Sequence, residues 1–389
     1  MKTVPPAKDT FDQIVRREIR RRGRVSFAEF MSWALYHPQH GYYMAGPTRL
    51  GRAGDYFTSV QTGMMFGRLL CETFFEMWSL LGGNHFSLVE LGAADGSLAE
   101  QILRTFQEKD RLKGLTYYLV EKSPAAREAA RRRLSRFSRV KIFDDIASLE
   151  HISGMEGCVF SNEFFDALPI HRVVREKAAF RELYVHEQNG VLSEEAGPPS
   201  TPLLERYLAE QRVTLEENQK AEICLALEDV VSEIERVLAR GFVFSIDYGE
   251  PSGSLYRPER TDGTLQVTHR HALLSGPFEK IGEADITAFV DFGRLAALGE
   301  RGDLRALVFA PQGPYLVNSA QTLLKEIIET KIGRERDVSL AAQVQQLIHP
   351  QSLGGRFSVL IQGKNVGRPE LSGGQVNRLR RLLPEKGPS

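Results

Sequence analysis

Three cysteines in 389 residues, Cys71, Cys158 and Cys224, are far apart and odd in number. No Cys-x-x-Cys occurs, so neither a disulfide framework nor a zinc knuckle is supported, and a reducing compartment fits best. No run of about 18 apolar residues is present, so no membrane span is expected. The opening MKTVPPAKDTF lacks the apolar stretch of a signal peptide, and the acids Asp9, Asp12 and Glu18 count against a transit peptide. An excess of one charge is missing too. The 50 Lys+Arg balance the 50 Asp+Glu, which argues against a bulk polyanion binder such as a nucleic-acid protein. The basic run RREIRRRGR (Arg16–Arg24) reads as the solvated face of a helix. Ser161 has no G-x-S-x-G elbow, so hydrolase chemistry is not supported. His37 and His40, like His269 and His271, lack partners at metal-ligand spacing, and no metal is expected. There is no internal repeat.

What the chain does have is a rhythm. After a helical opening come a capping-box helix at SFAEFMSWALY (Ser26–Tyr36), a Pro/Gly-rich loop at 37–59 and a helix from about Thr62 to Leu81. Short apolar runs then alternate with helical stretches. FSLVELG (Phe86–Gly92), LTYYLVE (Leu115–Glu121), VKIF (Val140–Phe143) and GCVFSNE (Gly157–Glu163) read as strands. Ser123 and Pro124 open one of the helices between them, as N-cap and first helical residue. Continuous apolar strands separated by helices indicate a parallel sheet covered on both faces. The rhythm breaks at about 172–217, resumes with a helix over Gln219–Ala239 and the strand GFVFSIDYG (Gly241–Gly249), and breaks again at 250–284 as a loop-like insertion. A helical stretch DITAFVDFGRLAALGE, the apolar run LRALVFAP and a last strand FSVLIQG (Phe357–Gly363) complete it, ahead of a polar, frayed tail. The expectation is a doubly wound α/β sheet of about seven strands, with a helical N-terminal region and insertions after strands 4 and 5.

Ligands in such sheets bind at the carboxyl ends of the strands. The first strand ends VELGAADGSL, with Glu90, Gly92 and Gly96 in the pattern E-x-G-x-x-x-G. A glycine directly after a strand lets backbone approach a ligand, and the next helix offers free N–H groups. The dinucleotide fingerprint would require glycines at 92, 94 and 97, where the chain has Gly92, Ala94 and Ser97. The glycine turn of S-adenosylmethionine (SAM) methyltransferases fits better, with Ala94 in place of its middle glycine. Glu121 ends the second strand, where an acid accepts from both ribose hydroxyls. Asp144-Asp145 end the third, a place from which an adenine amino group can be bound. Asn162 and Glu163 end the fourth, followed by Asp166. An amide oxygen there suits a nucleophile that must be aimed at a methyl group, and the two carboxylates suit a cationic acceptor such as a guanidinium. Capping of the following turn is the alternative role for Asn162 and Asp166. Asp247-Tyr248 border the acceptor site or pack over the sheet edge. This order of signals is the layout of a class I (Rossmann-like) methyltransferase fold. A nicotinamide enzyme would share the ribose acid but not the glycine spacing.

Six segments in order, GRAGDYFTS, VELGAADGSL, SNEFFDALPIHRV, FSIDYG, DGTLQVTHRH and GEADITAFVDF, resemble the MidA-like family of SAM-dependent methyltransferases from about Phe27 to Gly363. Its mitochondrial members are protein arginine methyltransferases that assist respiratory complex I assembly. The resemblance implies SAM as cofactor and a protein arginine as acceptor, with Asn162, Glu163 and Asp166 as catalytic residues. It implies that Gly54, Asp55 and Thr58 form a loop over the methionine end of SAM, while Gly92, Gly96 and Glu121 hold the rest. Glu90 and Asp144 complete the cofactor set read from the strand ends. Two departures stand out. Ala93-Ala94 replace the family's Pro-Gly, and Asp262 stands where it often has an arginine. The organisation expected is a helical region with a cofactor lid (1–82), the methyltransferase domain (83–363) and a polar tail (364–389). The setting implied is bacterial cytoplasm, or the mitochondrial matrix in a eukaryote, with a homodimer compatible with the sequence. A non-catalytic SAM-binding assembly factor is the rival reading.

Overall fold

The computed structural model describes residues 10–44, 63–152, 154–330 and 335–382. Its centre is a sheet whose main strands we number β1 (Phe86–Leu91), β2 (Leu115–Val120), β3 (Val140–Phe143), β4 (Met155–Asn162), β5 (Leu238–Glu250), β6 (Arg305–Pro311) and β7 (Phe357–Lys364). The order is β6-β7-β5-β4-β1-β2-β3, and the short strand Val290–Asp291 extends the far end of β5. Only β7 runs antiparallel to its neighbours, inserted between β5 and β6. The chain winds outward from β1 through β2 to β3, then crosses back to lay β4 on the other side of β1. That reversal opens a crevice between the ends of β1 and β4, where doubly wound sheets bind ligands.

Both faces of the sheet are covered, so its strands carry apolar side chains on both sides. Phe86, Leu88, Tyr117, Phe160, Phe242 and Phe244 pack under the helices Met65–Leu80, Ser97–Glu108 and Gln312–Ser319. Val89, Leu91, Val159 and Val243 face the helices Ala226–Val237 and Phe292–Arg301. The two glycines Gly157 and Gly241 let β1, β4 and β5 approach closely. A Cβ on either would lie 1.9 Å from a carbonyl oxygen of the adjacent strand.

Beside this body sits a second one. The insertion after β4 is a four-stranded antiparallel array, His171–Glu176, Ala179–Gln188, Val191–Gly197 and Lys220–Ile223. Arg24–Ser26 joins it as a fifth strand against Tyr184–His186. The helices Phe11–Arg22 and Phe27–Tyr36 share a core with it, formed by Val15, Ile19, Phe27, Phe30, Val185 and Leu192. Ser26 caps the second of these helices, accepting from the Glu29 amide at 3.2 Å. The basic run is a paired face: Arg16 bonds Asp12, Arg20 bonds Glu187, and Arg21 and Arg22 bond Glu18.

Three local expectations differ. The helix expected over Gln219–Ala239 begins only at Ala226, because Lys220–Ile223 pairs with His171–Val174 and buries Ala221 and Ile223 on a strand period. The second insertion holds a small sheet of Gln266–His269, Ala272–Leu273 and Asp285–Thr287, so DITAFVDF starts as strand and turns helical only at Phe292. The tail is packed as far as Leu382. Leu371 and Leu382 are buried, and the Arg378 amide donates to the Phe309 carbonyl at 2.7 Å.

Candidate active site

A cavity of about 970 Å³ opens at the carboxyl ends of β1 to β4. One end of the cavity is built from the turn after β1. Gly92 takes φ 69° and Gly96 φ 74°, the left-handed region that glycine enters without a Cβ penalty. Gly92 has a second reason to be glycine, since a Cβ there would stand 3.0 Å from the Phe164 ring. Ala94, between them, also has a positive φ of 49°. Gly92, Ala93, Ala94 and Asp95 line the cavity. Gly96 is not on its wall. It precedes the helix Ser97–Glu108 and faces Ala130 and Leu134.

Glu121 follows β2 with each carboxylate oxygen already holding one amide, Ala94 N–H at 2.9 Å and Ser123 N–H at 2.7 Å. A carboxylate has about four lone-pair sites, so each oxygen can accept once more, as the two hydroxyls of a ribose would require. Burial raises its pKa, and those amides oppose the rise. Glu90 lies deeper. It is buried, accepts from the Tyr117 hydroxyl at 2.6 Å, and is pushed up to about 8 by desolvation. Asp144 is exposed and also lines the cavity, where Ser148 Oγ donates to it at 2.8 Å and lowers its pKa. The buried Ile146 supplies an apolar wall beside it. Gly54, Asp55 and Thr58 lie outside the described residues.

The other end of the cavity holds Asn162, Glu163 and Asp166 together. Asn162 Nδ2 donates to Glu163 Oε1 at 2.9 Å, which fixes the amide's orientation. Asn162 Oδ1 is buried and, among the described residues, has no hydrogen-bond partner. Glu163 has φ 54°, an uncommon value for a residue with a Cβ and one that is frequent where side chains are held for function. Asp166 is buried, and its pKa is raised by desolvation and by the charges of Asp247, Glu163 and Asp285.

Residues far away in the sequence close this chamber. Tyr43 donates to Asp285 Oδ1 at 2.7 Å, Tyr36 donates to the Ala167 carbonyl at 2.9 Å, and the two rings stack at 5.6 Å. Trp33, His37 and Thr287 also line it. Neither tyrosine was singled out by sequence reasoning, although HGYYMAGP is an aromatic stretch beside a loop. Asp285 lay unremarked within GEADITAFVDF. His269 and His271 are not on the cavity wall, and the described residues contain no cluster of metal-binding side chains. No described helix is long and apolar enough to cross a membrane.

Residues that fit the cofactor are therefore present: a glycine turn, a ribose-compatible carboxylate, and a buried acceptor, Asn162 Oδ1, without a partner among the described residues. The cavity volume lies within the range of small-molecule sites, about 300–1,000 Å³. Comparison with known proteins agrees. Residues 69–310 match the model of a family of S-adenosyl-L-methionine-dependent methyltransferases. Mitochondrial protein arginine methyltransferase NDUFAF7 of Homo sapiens is 27% identical over 380 residues, covering 88% of this chain and 80% of the relative. The homolog of Drosophila melanogaster is 27% identical over 378 residues, covering 89% and 83%. A crystal structure of a Burkholderia thailandensis protein bound to S-adenosyl-homocysteine superposes with a TM-score of 0.85 at 25% identity, covering 96% of this chain and 98% of that one.

Proposed function

The chain belongs to this family of S-adenosyl-L-methionine-dependent methyltransferases, and from that premise we propose that it methylates an arginine side chain of a protein. The observation that carries the reading is the buried Asn162 Oδ1, without a partner among the described residues, beside Glu163 and Asp166 in a chamber walled by Tyr36, Tyr43 and Asp285. Carboxylates around aromatic rings suit a planar cation, which pairs with the acids in its plane and with the rings through its face. The names of the relatives point the same way.

In this reading Gly92, Ala94, Glu121 and Asp144 hold SAM, with Glu90 behind them. Bound SAM supplies a methyl group on a positively charged sulfur. Asn162 Oδ1 and Glu163 accept from the guanidinium N–H groups and turn one nitrogen toward that methyl. Transfer would form the nitrogen–carbon bond and break the methyl–sulfur bond, leaving that electron pair on sulfur; the nitrogen gives up a proton, and Glu163 and Asp166 are the carboxylates placed to receive it. Water is kept out by the tyrosines, which strengthens each of these contacts. Residues 83–363 are the catalytic domain in this proposal, and the segments 10–44 and 171–291 enclose the acceptor. The setting proposed is bacterial cytoplasm, or the mitochondrial matrix in a eukaryote, in keeping with three free cysteines.

The test is transfer of radiolabelled methyl from SAM into proteins of a host extract, followed by acid hydrolysis of the labelled band. Methylarginine is the expected product. Label recovered on another amino acid overturns the arginine assignment.

A further inference from the structure

We infer that Asp247 is the positioning residue of the acceptor site, holding the backbone turn that presents Glu163 and Asp166 without itself touching either substrate. The inference rests on the acceptor role proposed above for those two side chains. Asp247 is fully buried and is not part of the cavity wall. It stands on β5 one residue beyond Ile246, which pairs with Asn162 at the end of β4. The ladder runs one step further, with the Glu163 amide donating to the Ile246 carbonyl at 3.0 Å. There the chain leaves the strand through the left-handed Glu163, and its next three amides converge on one carboxylate oxygen. Asp247 Oδ2 accepts from Phe164 at 3.1 Å, Phe165 at 2.9 Å and Asp166 at 3.4 Å. Oδ1 accepts from the amide of Tyr248 at 2.8 Å.

Two consequences follow from that geometry. Without the carboxylate, three converging amides in a buried region would lose their acceptor, and the turn would have to open to find water. An opened turn moves Glu163 and Asp166, and misplacement of about 1 Å at a reacting centre costs about a hundredfold in rate. The second consequence is electrostatic. The Asp247 charge is among the causes that raise the Asp166 pKa, together with burial and the charges of Glu163 and Asp285. Tyr36 and Tyr43 are the other titratable groups facing Asp166. Asp247 thus bears on both where Asp166 sits and when it ionises.

Asp247→Asn keeps one acceptor oxygen but turns a donor toward an amide and removes the charge. Expected are a folded protein, S-adenosyl-homocysteine affinity within about twofold of wild type by calorimetry, and at least a tenfold slower methylation of the band that wild type labels. The acid limb of its pH–rate profile should move to lower pH, since Asp166 has lost a neighbouring negative charge. A general loosening of the fold would weaken S-adenosyl-homocysteine binding as well, which the calorimetry reads, whereas loss of the clamp alone leaves it in place. Wild-type rate and profile overturn the inference, as does a loss of cofactor binding equal to the loss of rate. If the variant does not fold, or if wild type labels no protein and the arginine reading fails, amide hydrogen exchange of the wild-type protein decides. Phe164 and Phe165 amides protected like those of β4 support the clamp, and exchange at the rate of an open loop removes it.

Discussion

The Asn162 amide nitrogen donates to Glu163 Oε1 at 2.9 Å, so two adjacent side chains orient each other and leave Asn162 Oδ1 turned away from the carboxylate. That oxygen is buried and has no partner among the described residues. Replacing Glu163 by Gln keeps one acceptor oxygen for this bond but puts a donor in place of the other oxygen and removes one negative charge of the chamber. We expect Glu163→Gln to lower methyl transfer at least a hundredfold, as loss of a charged contact at a reacting centre does. Its affinity for S-adenosyl-homocysteine should stay within about twofold, as calorimetry will show. A variant that transfers at half the wild-type rate would remove Glu163 from the mechanism.

Tyr43 reaches Asp285 across 242 residues of sequence, through a 2.7 Å bond. Tyr43→Phe keeps the ring and deletes the bond. The acceptor concentration needed for half-maximal rate should rise by about tenfold, the equivalent of one charge-assisted hydrogen bond. The dependence on SAM should be unchanged. An equal loss in both would place Tyr43 on the cofactor side.

Glu90 carries a pKa of about 8 in the fold through burial. Its ordinary value is about 4.3. Between those two values the folded protein holds a proton that the unfolded chain has released. Stability from this group is therefore full below about pH 4 and is lost as pH rises through 8, by about 1.4 kcal/mol per pH unit. Glu90→Gln cannot ionise, and its amide oxygen can still accept from Tyr117. The variant should be more resistant to urea than wild type at pH 8 and closer to it at pH 5. A wild-type-like urea midpoint at pH 8 would show that Glu90 ionises without cost.

Ala94 occupies a left-handed conformation, φ 49°, in the middle of the cofactor turn. A Cβ in that region costs about 1 kcal/mol. Ala94→Gly should raise the unfolding free energy by about that amount, and the amide that donates to Glu121 is retained. Denaturant titration measures the change. A destabilised variant would mean that the Ala94 methyl packs more usefully than its backbone is strained.

Strand ends were legible because a parallel sheet covered on both faces writes each strand as an apolar run, and the first polar residue after it marks the ligand edge. Glu121, Asn162 and Glu163 stand out that way, and all three line the cavity. Gly96 is a cofactor residue by spacing and by the family resemblance; in the fold it faces the helix that bears Ala130 and Leu134 and is not on the cavity wall. The acceptor wall was not legible. Tyr36, Tyr43 and Asp285 meet only because Arg24–Ser26 adds to the insertion sheet and carries the helix Phe27–Tyr36 with it. No local period encodes such a meeting. The short strand Lys220–Ile223 was likewise absorbed into a neighbouring helical pattern, since four residues are too few to set a period.

That added strand has a bearing on ancestry. In the proposed reading the residues that grip the donor belong to the wound sheet, while Tyr36, Tyr43 and Asp285 on the recipient side belong to a separate body stitched from the start of the chain and two excursions out of the sheet. Selection can reshape the second without retuning the first, provided that the three pieces vary together. Shortening any one of them leaves a hole in the others, so lineages should keep or replace this annex as a whole.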